Sequence, residues 1–191
     1  MARQFRITRK TPWWLILIIV LFTVAQQMGW LKPAEQKLVE IQPGQYRVLQ
    51  VHDGDTISVD MNGIEEKVRF IGVDTPETQD PRKAVQCFGK AASNYTTKLL
   101  AGQSVRLEAD PQSSNRDRYS RLLRYVYLPD GRLVQAEIIR SGYGFAYTSF
   151  PFAKSDEFES YEKEARDNSR GLWGSCQPTE NEYGGYDSNN E

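Results

Sequence analysis

One short stretch of this chain combines a cation, two carboxylates and a proline in an arrangement that could do chemistry. Arg69 lies near the start of an apolar, strand-like run, Asp74 ends the run, and Glu77 follows Pro76. Proline has no N–H to donate and favours an extended conformation at Thr75, so a strand should end there and Glu77 should leave it at a fixed angle. Such a group can bind a metal ion and a phosphate. Taken alone, it is explained more simply as a strand that ends in a polar turn.

Two other clusters contain the same kinds of side chain. The run Asp53-Gly54-Asp55-Thr56 offers carboxylates in a tight turn, and the run Asp117-Arg118-Tyr119-Ser120-Arg121 offers arginines and an aromatic ring. A DGD sequence is commonly only a turn whose aspartates accept hydrogen bonds from backbone N–H groups. An arginine-rich loop is commonly a solvated surface. Each cluster is therefore a weak signal by itself.

Alternating polar and apolar residues predict the strands that carry these clusters. Strands are expected at Tyr46 to Val51, Thr56 to Met61, Lys67 to Val73, Ser104 to Glu108 and Arg121 to Leu128. Asn62-Gly63 predicts a two-residue hairpin between the second strand and the third. The first three strands should therefore form an antiparallel meander.

Helical periodicity predicts three helices between and after these strands. They are expected from about Gly89 to Ala101, from Val134 to Ser141, and from Asp156 to a stop at Gly171. Five short strands and three helices indicate an α+β domain with a small closed sheet. A five-stranded Greek-key barrel is favoured because closure removes the exposed sheet edges.

Together, in this order and spacing, the three clusters resemble the staphylococcal nuclease (thermonuclease) family, over roughly residues 46–176. Further matching pieces are Val68-Arg69-Phe70, Phe88-Gly89-Lys90-Ala91-Ala92-Ser93 and Gly171-Leu172-Trp173-Gly174. The resemblance implies a five-stranded OB-fold β-barrel with three helices and a Ca²⁺-dependent phosphodiesterase that acts on DNA and RNA. No obligate protein partner is evident, and a monomer is expected.

The resemblance assigns metal ligands by position. Asp55 and Asp74 match the calcium carboxylates, and Thr75 matches the position that offers a backbone carbonyl. Oxygen ligands of this kind suit a hard cation such as Ca²⁺.

The resemblance also implies catalytic roles. Glu77 matches the general base, while Arg69 and Arg121 match the arginines that bind the phosphate and stabilise its five-coordinate transition state. The alternative is a catalytically weak OB-fold module that only binds nucleic acid. Retention of the base, both arginines and both aspartates argues against that alternative.

Three further positions match substrate contacts of the family. Arg118 and Tyr119 match residues on the side of the terminal phosphate, and Tyr147 resembles a tyrosine near the nucleoside pocket, with ordinary packing as its alternative. Ser120 departs from the pattern, because the family has glycine there. If that position requires a positive φ, the loop that carries Arg121 is altered.

The charge distribution excludes binding of nucleic acid by bulk positive charge. The chain has 191 residues, enough for one domain with terminal segments, and a formal net charge of −1. Setting aside the four basic residues before Trp13 leaves 20 basic against 25 acidic residues. Any binding of nucleic acid must therefore be local, through a few arginines.

The N-terminus predicts export. Arg3, Arg6, Arg9 and Lys10 precede an uncharged apolar stretch from Trp13 to Leu31. The stretch is either a signal peptide cleaved near Ala25 or, as we favour, an uncleaved helical membrane anchor with tryptophans at both ends. Both place the domain outside the cytoplasm.

The remaining organisation follows from composition. Residues 32–43 are expected to be a linker, residues 44–176 the nuclease-like domain, and residues 177–191 an acidic, disordered tail. Cys87 and Cys176 are the two cysteines of the chain. In an exported protein they are expected to form a disulfide, with two buried free thiols as the alternative.

Overall fold

A computed structural model describes residues 44–78, 86–181 and 185–189, together with Trp13, Leu17, Leu21 and Val24. Those four residues are helical, with exposed side chains. Otherwise the predicted N-terminal hydrophobic helix, whether anchor or signal peptide, lies outside the described residues, as does the whole of the predicted linker. Within the described ranges, no helix combines the length and the apolar character needed to cross a membrane.

Five strands of the compact unit Glu40–Glu191 close into a barrel. The strands in chain order are β1 (Gln45–Asp53), β2 (Thr56–Met61), β3 (Ile64–Phe70), β4 (Val73–Asp74), β5 (Ser104–Glu108), β6 (Leu122–Tyr127), β7 (Phe145–Ala146), β8 (Thr179–Glu180) and β9 (Tyr186–Asp187). The barrel order is β1-β2-β3-β6-β5, and only the β3–β6 pair is parallel among these neighbours. The predicted α+β class and five-stranded barrel are confirmed.

The helices cover and cap this barrel. They are α1 (Gly89–Leu100), α2 (Val134–Arg140), α3 (Ser155–Asp167) and the single turn α4 (Leu172–Ser175). The first three were predicted, whereas α4 is too short for a periodic signal. Buried residues of the strands (Ile57, Val59, Phe70) and of the helices (Ile138, Phe158) form one apolar core. Burial of each large side chain contributes about 1.5–3 kcal/mol.

The strand predicted from Lys67 to Val73 is interrupted by a turn at Gly72. Gly72 has a φ of +70°, and a Cβ atom there would lie 2.5 Å from the Phe152 ring. Only glycine fits such a position without strain. The turn ends β3 and starts β4, which pairs with β7 rather than with a barrel strand. Asp74 therefore stands on a separate two-stranded sheet.

The C-terminal segment differs from the disordered tail that its composition predicts. Strands β8 and β9 pair as a short hairpin, here called the C-terminal hairpin. The ring centroid of Tyr186 lies 4.9 Å from that of Trp173 and 6.4 Å from that of Phe145. Composition alone missed this hairpin because the aromatic partners of Tyr186 come from elsewhere in the fold.

Candidate active site

Arg69 joins the two aspartates that sequence reasoning assigns to a metal. Arg69 pairs with Thr56 across β2 and β3, which places its side chain beside Asp55, the residue just before β2. Its Nη1 atom forms an ion pair with Asp55 Oδ2, and its Nη2 atom donates to Asp74 Oδ1 at 2.7 Å. One guanidinium therefore bridges a carboxylate in the turn between β1 and β2 and a carboxylate on β4.

Thr75 is locked against Asp55. The backbone N–H and the hydroxyl of Thr75 both donate to Asp55 Oδ2, at 3.0 and 3.1 Å. The other oxygen of Asp55 accepts a hydrogen bond from the Thr56 hydroxyl at 2.9 Å. Gly54 permits this close approach, since a Cβ atom there would lie 2.6 Å from Thr75 Oγ1. The carboxylate of Asp55 is thus held in one orientation.

The carboxylate cluster of Asp53, Asp55 and Asp74 carries more negative charge than Arg69 balances. Burial, reinforced by the nearby Asp55, raises the pKa of Asp53 to about 7. Burial also raises the pKa of Asp74, although Arg69 opposes that rise. Burial alone would lower the pKa of Arg69, but the charges of Asp55 and Asp74 outweigh it and raise that pKa. Such surroundings favour protonation of a carboxyl or binding of a cation.

The donor set fits a hard cation in its chemistry. Asp55 and Asp74 would supply carboxylate oxygens, and Thr75, which follows Asp74 in the chain, would supply a backbone carbonyl. In the described part of the chain, no three His, Cys, Asp or Glu side chains are grouped closely enough to hold a metal by themselves. Ca²⁺ commonly completes its shell with carbonyl and water oxygens, so this partial set is compatible with it.

Glu77 occupies the loop that follows β4. Its backbone N–H donates to Gln86 Oε1 at 2.7 Å, and its carbonyl accepts from the Gln86 N–H at 3.1 Å. Its Oε1 accepts from the Thr78 N–H at 3.0 Å. The charge of Glu77 also acts on Asp53, which places it near the carboxylate cluster.

Arg121 is held by the loop that precedes β6. Asp117 accepts hydrogen bonds from the Arg121 backbone N–H and from its Nε atom, at 2.9 and 2.6 Å. The guanidinium carbons of Arg118 and Arg121 lie 4.8 and 5.3 Å from the ring centre of Tyr119. Ser120 has a φ of +64°, so serine adopts the left-handed conformation here. Serine at this position is thus compatible with the loop shape, at an energetic cost.

A cleft of about 810 Å³ brings most of the predicted residues together. It is lined by the predicted site residues Arg69, Asp74, Arg118, Tyr119, Arg121 and Tyr147. Asp55, Thr75 and Glu77 do not line it. Asp55 and Thr75 are buried. Asp55 is linked to the cleft by its ion pair with Arg69, and Thr75 is hydrogen-bonded to Asp55. The cleft therefore combines guanidinium groups, a carboxylate and exposed aromatic rings, a combination suited to a phosphate chain with attached bases.

Phe150 and Arg116 are among the cleft residues that sequence reasoning missed. Phe150 is 66% exposed, and its ring centroid lies 5.9 Å from that of Tyr147. Arg116 lines the cleft and forms a bidentate pair with Glu66, at 2.9 Å for each hydrogen bond. Tyr147 and Phe150 are aromatic residues three positions apart in the sequence, and this spacing could have indicated Phe150. The pairing of Arg116 with Glu66 was not, because 50 residues separate them.

The carboxylate of Asp74 also borders a second cavity, of about 450 Å³. The C-terminal hairpin forms one wall of that cavity, where Asp187 raises the pKa of Asp74 further. The hairpin is anchored nearby, since Cys87 and Cys176 form the predicted disulfide, with Cα atoms 5.8 Å apart. The C-terminal segment therefore contributes directly to the surroundings of Asp74.

A closed barrel with an arginine-lined cleft and a carboxylate cluster indicates a protein that binds phosphate groups. Comparison with known proteins identifies its family. Residues 67–175 match the family model described as staphylococcal nuclease homologue. The chain is 36% identical over 163 residues to a thermonuclease of Staphylococcus intermedius, covering 83% of this chain and 94% of that protein.

Two other relatives are also named as nucleases. A thermonuclease of Staphylococcus hyicus is 41% identical over 129 residues, with 67% of this chain and 75% of that protein covered. The endonuclease YncB of Bacillus subtilis (strain 168) is 41% identical over 123 residues, with 63% of this chain and 57% of that protein covered. The chain belongs to the family of staphylococcal nuclease homologues.

Proposed function

We propose that this protein is a nuclease that hydrolyses phosphodiester bonds of DNA and RNA with little sequence specificity. The observation that carries the proposal is the cleft in which Arg69, Arg121 and Asp74 meet. Guanidinium forks match the non-bridging oxygens of a phosphate, and their fixed charges can stabilise the transition state. Membership of a family named for a nuclease, with thermonucleases among the relatives, supports the same activity.

Each residue has a proposed role. Glu77 is the general base that takes the proton from the attacking water, and Arg69 and Arg121 bind the phosphate. Asp55, Asp74 and the Thr75 carbonyl would hold Ca²⁺. When bound, the ion would add positive charge against the phosphate oxygens. Since a carboxylate is a weak base, the charges on the phosphate must supply most of the rate enhancement.

Arg118, Tyr119 and Tyr147 are proposed to bind the substrate beside the reacting phosphate. All three line the cleft. Tyr119 is 63% exposed and Tyr147 is 39% exposed, so both rings present surface to a ligand. Bases stack on such rings with little preference for sequence. This exposure supports a binding role for Tyr147 over ordinary packing.

Digestion of single-stranded DNA and RNA by the full chain, with Ca²⁺ or with a chelator, tests the proposal. We expect cleavage with Ca²⁺ and loss of cleavage with chelator. Glu77→Gln should lower kcat by roughly 10² to 10⁴, whereas Glu159→Gln, an exposed position on α3, should leave it unchanged. Tight binding without cleavage under either condition would instead establish the OB-fold binding module.

We further propose that the domain is exported. The basic cluster before an uncharged apolar stretch supports this, and the disulfide suits an oxidising compartment. N-terminal sequencing of the mature protein separates the two routes. A new terminus near Gln26 would indicate secretion after cleavage, an intact terminus in the membrane fraction would indicate an anchor, and an intact protein in the cytoplasm would contradict export.

A further inference from the structure

Gln86 is hydrogen-bonded to Glu77, the residue proposed as the general base. One hydrogen bond runs from the Glu77 N–H to Gln86 Oε1 at 2.7 Å, and one from the Gln86 N–H to the Glu77 carbonyl at 3.1 Å. We call this pair of contacts the neck. The neck ties the backbone of the proposed base to a residue nine positions along the chain.

The residue after Gln86 is anchored to the C-terminal segment on three sides. Cys87 forms the disulfide with Cys176, its N–H donates to the Asn189 carbonyl at 2.7 Å, and its carbonyl accepts from the Ser188 hydroxyl at 2.7 Å. Ser188 is buried. The Asn189 amide also donates to the Cys176 carbonyl at 3.2 Å. A covalent bond and several hydrogen bonds therefore hold one side of the neck.

We propose that Gln86 is a positioning residue for Glu77. We propose further that the Cys87–Cys176 disulfide holds Gln86 where it can accept the hydrogen bond from the Glu77 N–H. This inference rests on the proposed function, in which Glu77 is the general base. A base must lie within hydrogen-bond reach of the attacking water, and a misplacement of about 1 Å can cost a large factor in rate. The hydrogen bond from Glu77 to the Gln86 side chain is the contact that a single substitution removes.

The neck should affect turnover more than binding. The arginines proposed to bind the phosphate, Arg69 and Arg121, lie at the end of β3 and just before β6. Their ion pairs among the described residues are with Asp55, Asp74 and Asp117, which lie outside the neck. Loss of the neck should therefore displace the base without moving the groups that bind substrate. A purely structural role for Gln86 would instead lower the melting temperature and leave kcat unchanged at temperatures where the protein is folded.

Steady-state kinetics of full-length variants on single-stranded DNA test the role of Gln86. Gln86→Ala should lower kcat roughly tenfold without changing KM or the melting temperature. Gln86→Glu keeps an acceptor oxygen at the same reach and should recover most of kcat. Gln50→Ala, at an exposed position of β1, is the matched control and should behave as wild type.

Reduction of the disulfide tests the coupling. A thiol reductant should lower kcat of the wild type, at a temperature where near-ultraviolet circular dichroism shows a folded protein. Reduction should lower kcat of Gln86→Ala by a smaller factor than that of the wild type, because reduction and the substitution both act through the neck. An unchanged kcat in Gln86→Ala would overturn the inference. Reduction that lowers kcat by the same factor in the wild type and in Gln86→Ala would also overturn it. An oxidised wild type that does not cleave DNA would overturn the proposed function instead.

Discussion

The carboxylate of Asp117 holds Arg121 by two hydrogen bonds, to the backbone N–H at 2.9 Å and to Nε at 2.6 Å. The pairing uses Nε of the guanidinium, while Nη1 lies 3.5 Å from the Thr56 hydroxyl. Arg121 is thus already oriented for the phosphate binding proposed for it. Such preorganisation reduces the side-chain entropy that binding would otherwise cost.

Asp117→Asn should lower kcat/KM about tenfold, because a charge-assisted hydrogen bond contributes about 1.5–3 kcal/mol. Asp130→Asn is the matched control. Asp130 accepts from the backbone N–H and Nε of Arg132 in the same way, but in an exposed turn. Kinetics on one DNA substrate would compare the two variants. Equal loss in both, or no loss in either, would show that this contact does not prepare the site.

Ser120→Gly should raise the free energy of unfolding by about 0.5–1 kcal/mol. The left-handed conformation costs a non-glycine residue about 1–2 kcal/mol, and the greater freedom of unfolded glycine offsets part of the gain. The Ser120 carbonyl, which accepts from Arg116 at 2.7 Å, is retained. Urea unfolding measures the effect. Asn62→Gly should gain less, because asparagine tolerates its φ of +58°. A destabilised Ser120→Gly would refute this account.

Asp110 should make stability depend on acid pH. Burial alone would raise the pKa of Asp110, but hydrogen bonds from the Tyr125 hydroxyl and from the N–H groups of Ala153 and Gln112 outweigh burial and lower it. Because the folded pKa lies below the unfolded one, this stabilisation is present above the unfolded pKa and is lost as the pH falls through the folded pKa.

Urea unfolding from pH 7 to pH 2 checks that dependence. In Asp110→Asn, the free energy of unfolding should be lower at neutral pH and should fall less on acidification than in the wild type. Parallel curves for the two proteins would contradict the assignment. Asp156→Asn, at an exposed position of α3, serves as the control.

Calcium should raise the melting temperature, since a ligand that binds only the folded state stabilises it. Asp74→Asn should remove most of that shift. Asp187→Asn should only reduce it, because Asp187 affects Asp74 through its charge. Differential scanning fluorimetry across a Ca²⁺ titration measures both. A full shift in Asp74→Asn would show that the ion binds elsewhere.

Loss of the disulfide should destabilise the domain by about 4.5 kcal/mol, the chain-entropy value for closing so long a loop. The bond joins residues 89 positions apart. Urea unfolding of a Cys87→Ser, Cys176→Ser double variant and of the wild type measures the difference in the free energy of unfolding. A difference below about 1 kcal/mol would mean that the C-terminal contacts hold the segment without the bond.

Much of the fold was predictable because its signals are local. Alternation of residues predicted the five barrel strands, and Asn62-Gly63 predicted the hairpin between β2 and β3. Helical periodicity predicted α1, α2 and α3. The break at Gly72 was not predictable, because the apolar run around it continues and the reason for the turn is the Phe152 ring, 80 residues away.

By itself, the sequence determined the types of chemistry available: the carboxylates, the arginines and their order along the chain. Their residue types and spacing are local properties, and they were enough to indicate the family. Only the tertiary structure decided that Arg69 bridges Asp55 and Asp74 and that Gln86 closes on Glu77. It also decided that the C-terminal hairpin reaches Asp74. These relations arise from packing between distant segments, which no local pattern encodes.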